Sequence, residues 1–214
     1  MQVSLSAKLF QLSTNFPVLK KMSVSIIVAD SSHAVYAEKI CELIYVSAQE
    51  RGTGIARRTP EYITQKIADG KAVIAIDEGE VVGFSYIESW SHSRFVANSG
   101  LIVAHSYRNT GLARKIKARI FKLSRKLYPK SKIFSITTGL AVMKINYELG
   151  FRPVTFSELT DDPDFWKGCE GCRNYDILQR NNHKMCLCTG LLYDPDYKPL
   201  KRSPLGKFMS LFSL

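Results

Sequence analysis

Tyr107-Arg108-Asn109-Thr110-Gly111-Leu112-Ala113 stands between an apolar run at 100–104 and the most regular helical pattern of the chain. A strand, a tight turn with Arg and Gly, and a helix start together make a cradle for phosphate. The first N–H groups of a helix have no intrahelical partners and point outward. The aligned peptide dipoles add partial positive charge there. Gly111 lets the backbone approach a pyrophosphate, Ala113 keeps the way clear, and Arg108 and Arg114 bring charge. The same spacing is compatible with an ordinary basic strand-turn-helix.

Two cysteine pairs, Cys169-x2-Cys172 and Cys186-x-Cys188, have spacing suited to a four-thiolate clip for a structural metal, typically zinc. His183 lies between them in sequence. The alternative is four reduced thiols in a hairpin. Cys41 falls on a helical face and reads as core. Five cysteines leave one unpaired under any disulfide scheme, and no secretory signal is recognised, so a reduced, cytoplasmic setting is expected.

Around the cradle, strand-like and helix-like periods alternate. Residues 24–29 read as a strand and 33–50 as a helix, broken at Arg51-Gly52-Thr53-Gly54. Thr59 is an N-cap candidate with Pro60 at the first helical position of a second helix, which ends near Asp69-Gly70. Residues 72–76 and 81–87 flank Asp77-Glu78-Gly79 as a hairpin, and a further strand covers about 95–104. Leu112, Ile116, Ile120, Leu123 and Leu127 recur at helical spacing from Gly111 to Tyr128, with Pro129 just beyond. A strand at 133–137, a helix at 140–149 and a strand at 151–156 follow. Residues 157–197 read as irregular. The order β-α-α-β-β-β-α-β-α-β implies an α/β fold with a mixed sheet.

The chain of 214 residues is 45% hydrophobic and 23% charged, which excludes a fibrous or mainly disordered protein. No apolar run reaches the length of a membrane span. The net charge is +11. Setting aside Lys8, Lys20 and Lys21 of the Ser-rich segment 1–21, and Lys198, Lys201, Arg202 and Lys207 of the tail 198–214, leaves +4 on 22–197. That body is mildly basic, as suits an anionic ligand, and nucleic-acid binding is not expected. One domain over 22–197, with 157–197 as its cysteine-containing end, is expected between a basic tail and an N-terminal extension that is either transit-peptide-like or the product of a misassigned start before Met22.

Arg108-x-x-Gly111-x-Ala113 between a strand and a long helix resembles the acetyl-CoA motif of the GNAT N-acetyltransferases, Arg/Gln-x-x-Gly-x-Gly/Ala. Asn146-Tyr147-Glu148-Leu149-Gly150-Phe151 is similar to that family's second signature, a helix ending in Tyr-x-x-x-Gly-Phe. Many members carry the tyrosine four residues before the glycine. Asn146 holds that place here, and Tyr147 lies about 100° further round the helix. The resemblance implies a mostly antiparallel sheet flanked by helices, and an acyl-CoA cosubstrate held by Arg108, Asn109, Thr110, Gly111, Leu112, Ala113 and Arg114. It also implies an oxyanion amide near Ile102 or Val103. For proton transfer it points to Glu88 and His92 as base candidates, Thr137 (or Thr138) beside the leaving thiolate, and Tyr147 as its acid.

Within that family the chain resembles the acetyltransferase domain of bacterial N-acetylglutamate synthases. The residues concerned are Gln49-Glu50-Arg51-Gly52, Arg57-Arg58, Arg94, Thr137-Thr138, Gly150-Phe151-Arg152-Pro153-Val154 and Asn174-Tyr175…Gln179-Arg180-Asn181-Asn182. The resemblance implies glutamate as acceptor in arginine biosynthesis, with Arg57, Arg94 and Arg180 holding its two carboxylates and Asn182 replacing a serine. A homodimer is compatible with it. The other readings are a GNAT enzyme for another amine (antibiotic, polyamine, protein lysine or N-terminus) and a non-catalytic RNA- or protein-binding domain.

Overall fold

A computed structural model describes residues 23–51 and 56–198. The extension 1–21, most of the Arg51-Gly52-Thr53-Gly54 break and the tail beyond Lys198 lie outside the described residues.

Seven strands form one sheet: β1 (Ser25–Val28), β2 (Ala72–Asp77), β3 (Glu80–Trp90), β4 (Phe95–Val103), β5 (Lys132–Thr137), β6 (Arg152–Val154) and β7 (Thr189–Tyr193). Their order across the sheet is β1-β2-β3-β4-β5-β7-β6. Every neighbouring pair is antiparallel except β4 and β5. The mixed, mostly antiparallel α/β sheet expected from the sequence is the fold of the chain.

Helices α1 (Ala37–Arg51) and α2 (Pro60–Ala68) cover one face. Ile40, Ile44, Ile63 and Ile67 pack there against Ile74, Phe84, Tyr86 and Ile102. Thr59 caps α2 by accepting the Tyr62 N–H at 3.3 Å, and Pro60 opens it. Ile63 and Ile67 are fully buried one turn apart, each worth about 1.5–3 kcal/mol of apolar burial. Before α1 a 3-10 turn, Ser31–Tyr36, is capped by Asp30, so the regular helix starts later than its apolar period implies.

The opposite face carries α3 (Leu112–Leu127), whose Leu112, Ile116 and Ile120 pack on Val73, Ala75, Val96 and Val103. Lys117 of the same helix is also buried. Its ammonium donates to Asn98 Oδ1 at 3.2 Å and stands 5.1 Å from the centre of the Phe151 ring. Burial lowers it to about 7. The short helix α4 (Leu140–Glu148) follows β5.

The terminal segment corrects the expectation of an irregular 157–197. It holds α5 (Pro163–Lys167), α6 (Tyr175–Arg180) and β7, and β7 inserts between β5 and β6. Phe156, Trp166 and Leu178 cover Phe95, Ala97 and Phe134. Trp90 joins this cluster, and it shares a sheet face with Tyr86 because side chains alternate along β3. The terminal segment therefore covers the same face as α1 and α2, side by side with them. It is fastened to the turn after β3, where Asp162 Oδ2 accepts the Ser91 N–H at 3.0 Å and the Ser91 and Thr160 hydroxyls meet at 2.9 Å.

Candidate active site

The ladder between β4 and β5 is short. Phe95–Ala97 pair with Lys132–Phe134, and from there β4 runs on to Val103 and β5 to Thr137 without pairing. The two strands splay, and a cavity of about 680 Å³ opens at the gap. On the other side of β4, Phe84 pairs with Ile102 but Tyr86 pairs with Ser99. The extra residue in β4 is a bulge, which bends the strand and frees backbone groups from the ladder. Gly100 lies at its centre with φ 63°, and a Cβ there would stand 2.5 Å from the Tyr86 ring. An isolated glycine inside a strand period is the sequence signal for such a bulge, and the sequence reading passed over it.

Glu88 reaches this cavity. Its side chain is buried on β3, where Oε1 accepts a short bond from the Tyr62 hydroxyl and Oε2 accepts from Ser99 Oγ at 3.2 Å. Lys66 Nζ is 4.0 Å away. Beside it, Arg58 Nε donates to the Tyr86 hydroxyl at 2.8 Å. Burial and the Glu88 carboxylate push Tyr86 up to about 12, and Tyr62 is raised as well, chiefly by burial. Both phenols therefore keep their protons, so Tyr62 is a donor to Glu88 and not a competing anion. Burial lowers Lys66.

The cavity also takes in Ile102, Thr137 and Thr138. Thr137 Oγ1 accepts the Gly139 N–H at 3.0 Å, which leaves its own proton free to donate. Val103 packs in the core against α3 instead. His92 is exposed in the turn that joins β3 to β4, with φ 54°, outside the cavity lining. Tyr147 is 72% exposed on α4 and borders a separate shallow groove with Met143, Pro153 and Leu191. Asn146, one residue earlier, is the buried member of that pair.

The four residues expected to hold an acceptor are dispersed. Arg57 is exposed with its guanidinium 5.2 Å from the Tyr45 ring centre, and Arg94 is exposed at the start of β4. Arg180 is exposed and paired with Asp176 at 3.1 Å, and Asn182 is exposed with φ 49°. None of the four lines the cavity. Arg58, quoted from the sequence only as one of a pair, is the arginine that does. The Arg57-Arg58 dipeptide carried the signal, but its two side chains part, Arg57 to Tyr45 and Arg58 to Tyr86.

Residues 108–114 form a turn and a helix start. A 3-10 turn, His105–Tyr107, leads from β4 to Gly111, which has φ 82° and no side-chain cap. The N–H groups of Leu112, Ala113 and Arg114 thus open the helix uncapped. A Cβ on Gly111 would meet nothing within 4 Å, so the approach to them is clear. Asn109 is also left-handed, with φ 64°. Thr110 Oγ1 donates to the Tyr107 carbonyl at 2.7 Å, and Tyr107 itself is tied to Asp77 at 2.8 Å. Arg108 makes a short bond to Glu50, which His105 also approaches at 3.3 Å, and Arg114 pairs with Glu148 at 2.9 Å. The Arg108 pairing holds Glu50 below the usual carboxylate range.

Cys169, Cys172, Cys186 and Cys188 all stand on the cavity wall, half-buried, as free thiols. Among the described residues no group of three or more His, Cys, Asp or Glu side chains is set as a ligand cluster. No described helix is long and apolar enough to cross a membrane.

Neither a family model nor a curated protein matches the sequence. Solved structures do match the fold. An N-acetylglutamate synthase from Neisseria gonorrhoeae, complexed with coenzyme A and N-acetyl-glutamate, superposes with a TM-score of 0.58 at 20% identity. That match covers 81% of this chain and 35% of the synthase, so the chain spans about a third of that relative. A putative acetyltransferase from Salmonella typhimurium with acetyl-CoA gives 0.55 at 16%, covering 84% and 98%. The diaminobutyrate acetyltransferase of Paenibacillus lautus, with its substrate and coenzyme A, gives 0.54 at 13%, covering 84% and 99%. The chain has the GNAT acetyltransferase fold.

Proposed function

We propose that the chain is an acyl-CoA-dependent N-acyltransferase that moves an acetyl or similar acyl group to the amine of a small amino acid, glutamate first among them. The observation that carries this reading is the cavity at the splay of β4 and β5, with the Glu88 carboxylate on its wall and the β4 bulge at its side. The cradle from Arg108 to Arg114 supports an anionic cosubstrate, and similar folds have been solved with coenzyme A or acetyl-CoA.

The chemistry follows from the groups present. An amino acid enters as an ammonium, which cannot attack. Glu88, directly or through a water, takes one proton from it. The amine nitrogen then bonds to the thioester carbonyl carbon. Freed N–H groups of the β4 bulge near Ile102 offer the stabilisation that the oxyanion needs. Collapse breaks the carbon–sulfur bond, and the second proton that the nitrogen must lose passes to the leaving thiolate, relayed by the Thr137 hydroxyl, which gives one proton and takes one back. Arg58 holds the carboxylate of the amino acid, since guanidinium binds carboxylates with direction as well as charge.

Glutamate rests on the resemblance in Arg57-Arg58, Thr137-Thr138 and Gln179-Arg180, together with the bound N-acetyl-glutamate in a similar fold. A different amine as acceptor is favoured by one observation: Arg57, Arg94 and Arg180 stand off the cavity lining, so a second carboxylate lacks a second arginine there among the described residues. The test is release of free thiol from acetyl-CoA and succinyl-CoA with each common amino acid and with polyamines. Turnover with glutamate well above all others supports the first reading. Turnover with another amine alone selects the second, and no thiol release with any amine overturns both.

A further inference from the structure

We infer that Cys169, Cys172, Cys186 and Cys188 form a four-thiolate site for one zinc ion, and that this ion fastens the loop after α5 to the approach of β7, building one wall of the cavity. The sequence spacing alone leaves hairpin thiols as an equal alternative. Their juxtaposition in the fold is the new observation. The first pair follows α5 and the second pair leads into β7, yet all four line the same cavity, and Asn174 meets Cys172 Sγ through its N–H and Cys186 Sγ through its carbonyl. Cys169, Cys186 and Cys188 pack against one apolar cluster, that of Phe134, Trp166 and Leu178.

Three features favour a metal over bare thiols. The first pair closes a tight turn, with the Cys172 N–H bonded to the Cys169 carbonyl at 2.9 Å. The Asn174 N–H donates to Cys172 Sγ at 3.4 Å, the kind of outer hydrogen bond that steadies a ligating sulfur. Finally, the segment is poorly supported by its own core. Helices α5 and α6 have five and six residues, and bury Trp166 and Leu178 alone between them. Met185 and Leu187, which flank Cys186, are exposed. Such short elements need a cross-link, and four thiolates around one cation supply it.

A doubly charged ion holds the four as thiolates, and four protons leave as four sulfur–metal bonds form. As described the four thiols are not set as a ligand cluster, so ligation requires their side chains to leave positions such as that of Cys186, whose Sγ donates to the Asn174 carbonyl at 3.8 Å. Four protein ligands leave no open position, so the ion is structural and takes no part in acyl transfer.

The experiment uses the full chain, purified without chelator under reducing conditions. Metal analysis is expected to find about one zinc per chain. Replacing zinc by cobalt is expected to give the intense visible bands and sulfur-to-metal charge transfer of tetrahedral thiolate, saturating at one equivalent. Cys186→Ser with Cys188→Ser is expected to abolish both. Should that variant not fold, the cobalt titration of the unaltered chain still decides. Zinc below about a tenth of an equivalent with no cobalt band on fully reduced protein overturns the inference. So does a mass deficit showing a disulfide among the four in protein kept reduced. Neither readout involves acyl transfer, so failure here leaves the proposed function standing, and the converse holds.

Discussion

Replacing Arg58 by Met removes the one arginine on the described cavity wall while keeping the bulk of the side-chain stem. Two things are lost: the bond from Nε to the Tyr86 hydroxyl at 2.8 Å and the positive charge available to a carboxylate. Tyr86 keeps its proton, being raised to about 12, so no buried anion is stranded. A hydrogen bond to a charged group is worth about 1.5–3 kcal/mol. Since about 1.4 kcal/mol is tenfold, glutamate KM is expected to rise roughly 10- to 100-fold. The contact is made alike before and during acyl transfer, so kcat changes less than KM. The assay is thiol release against glutamate concentration at saturating acyl-CoA, with acyl-CoA affinity measured by calorimetry. Arg114→Ala is the control: Arg114 pairs with Glu148 beside the cradle and is expected to leave the glutamate KM alone. If Arg58→Met keeps its glutamate KM while Arg180→Ala loses it, the acceptor is held from α6, and the placement of the carboxylate at Arg58 is refuted.

Glu88→Gln keeps the shape of the Tyr62 and Ser99 contacts and removes the carboxylate proposed as base, so kcat is expected to fall about 10²- to 10⁴-fold with acyl-CoA affinity nearly unchanged, as steady-state kinetics would show. Gly100→Ala puts a methyl group where the Tyr86 ring stands, at a left-handed φ; calorimetric unfolding is expected to show a loss of about 1–3 kcal/mol. Gly111→Val meets no protein atom but strains the turn and fills the cradle, so acyl-CoA affinity drops while the fold persists. Lys117 is lowered from 10.5 to about 7 on folding, so between those values the unfolded chain binds the extra proton and stability rises with pH. Below about 7 both states are charged and that gain is absent. Denaturant titrations from pH 6 to 10 are expected to show this rise in the unaltered chain and not in Lys117→Met; equal slopes would count against it.

How much of this could be read from residues alone depends on whether the information is local. The turn at Arg108 to Arg114 is local: a turn, a glycine and a helix start are contiguous, so their backbone is legible in the spacing. The core faces of α2 and α3 were legible for the same reason, since Ile63 and Ile67, or Ile116 and Ile120, repeat at helical spacing. Lys117 broke that rule, because a lysine inside an apolar period reads as surface until Asn98 of β4 is seen to receive it. The acceptor side is not local at all. It depends on where β4 stops pairing with β5 and on β7 entering the sheet between β5 and β6. Neither fact is written in the spacing of any one segment. Thr189–Tyr193 contains too few residues to show a strand period, and its turn-rich, cysteine-bearing approach disguised it. The arginines are a related case. Arg57 and Arg58 are adjacent in sequence but reach different partners, so only the packing of Tyr86 and Tyr62 selects which one faces inward. A site assembled from three elements is fixed by the sheet order that brings them together, and here that order turns on five residues at the far end of the fold.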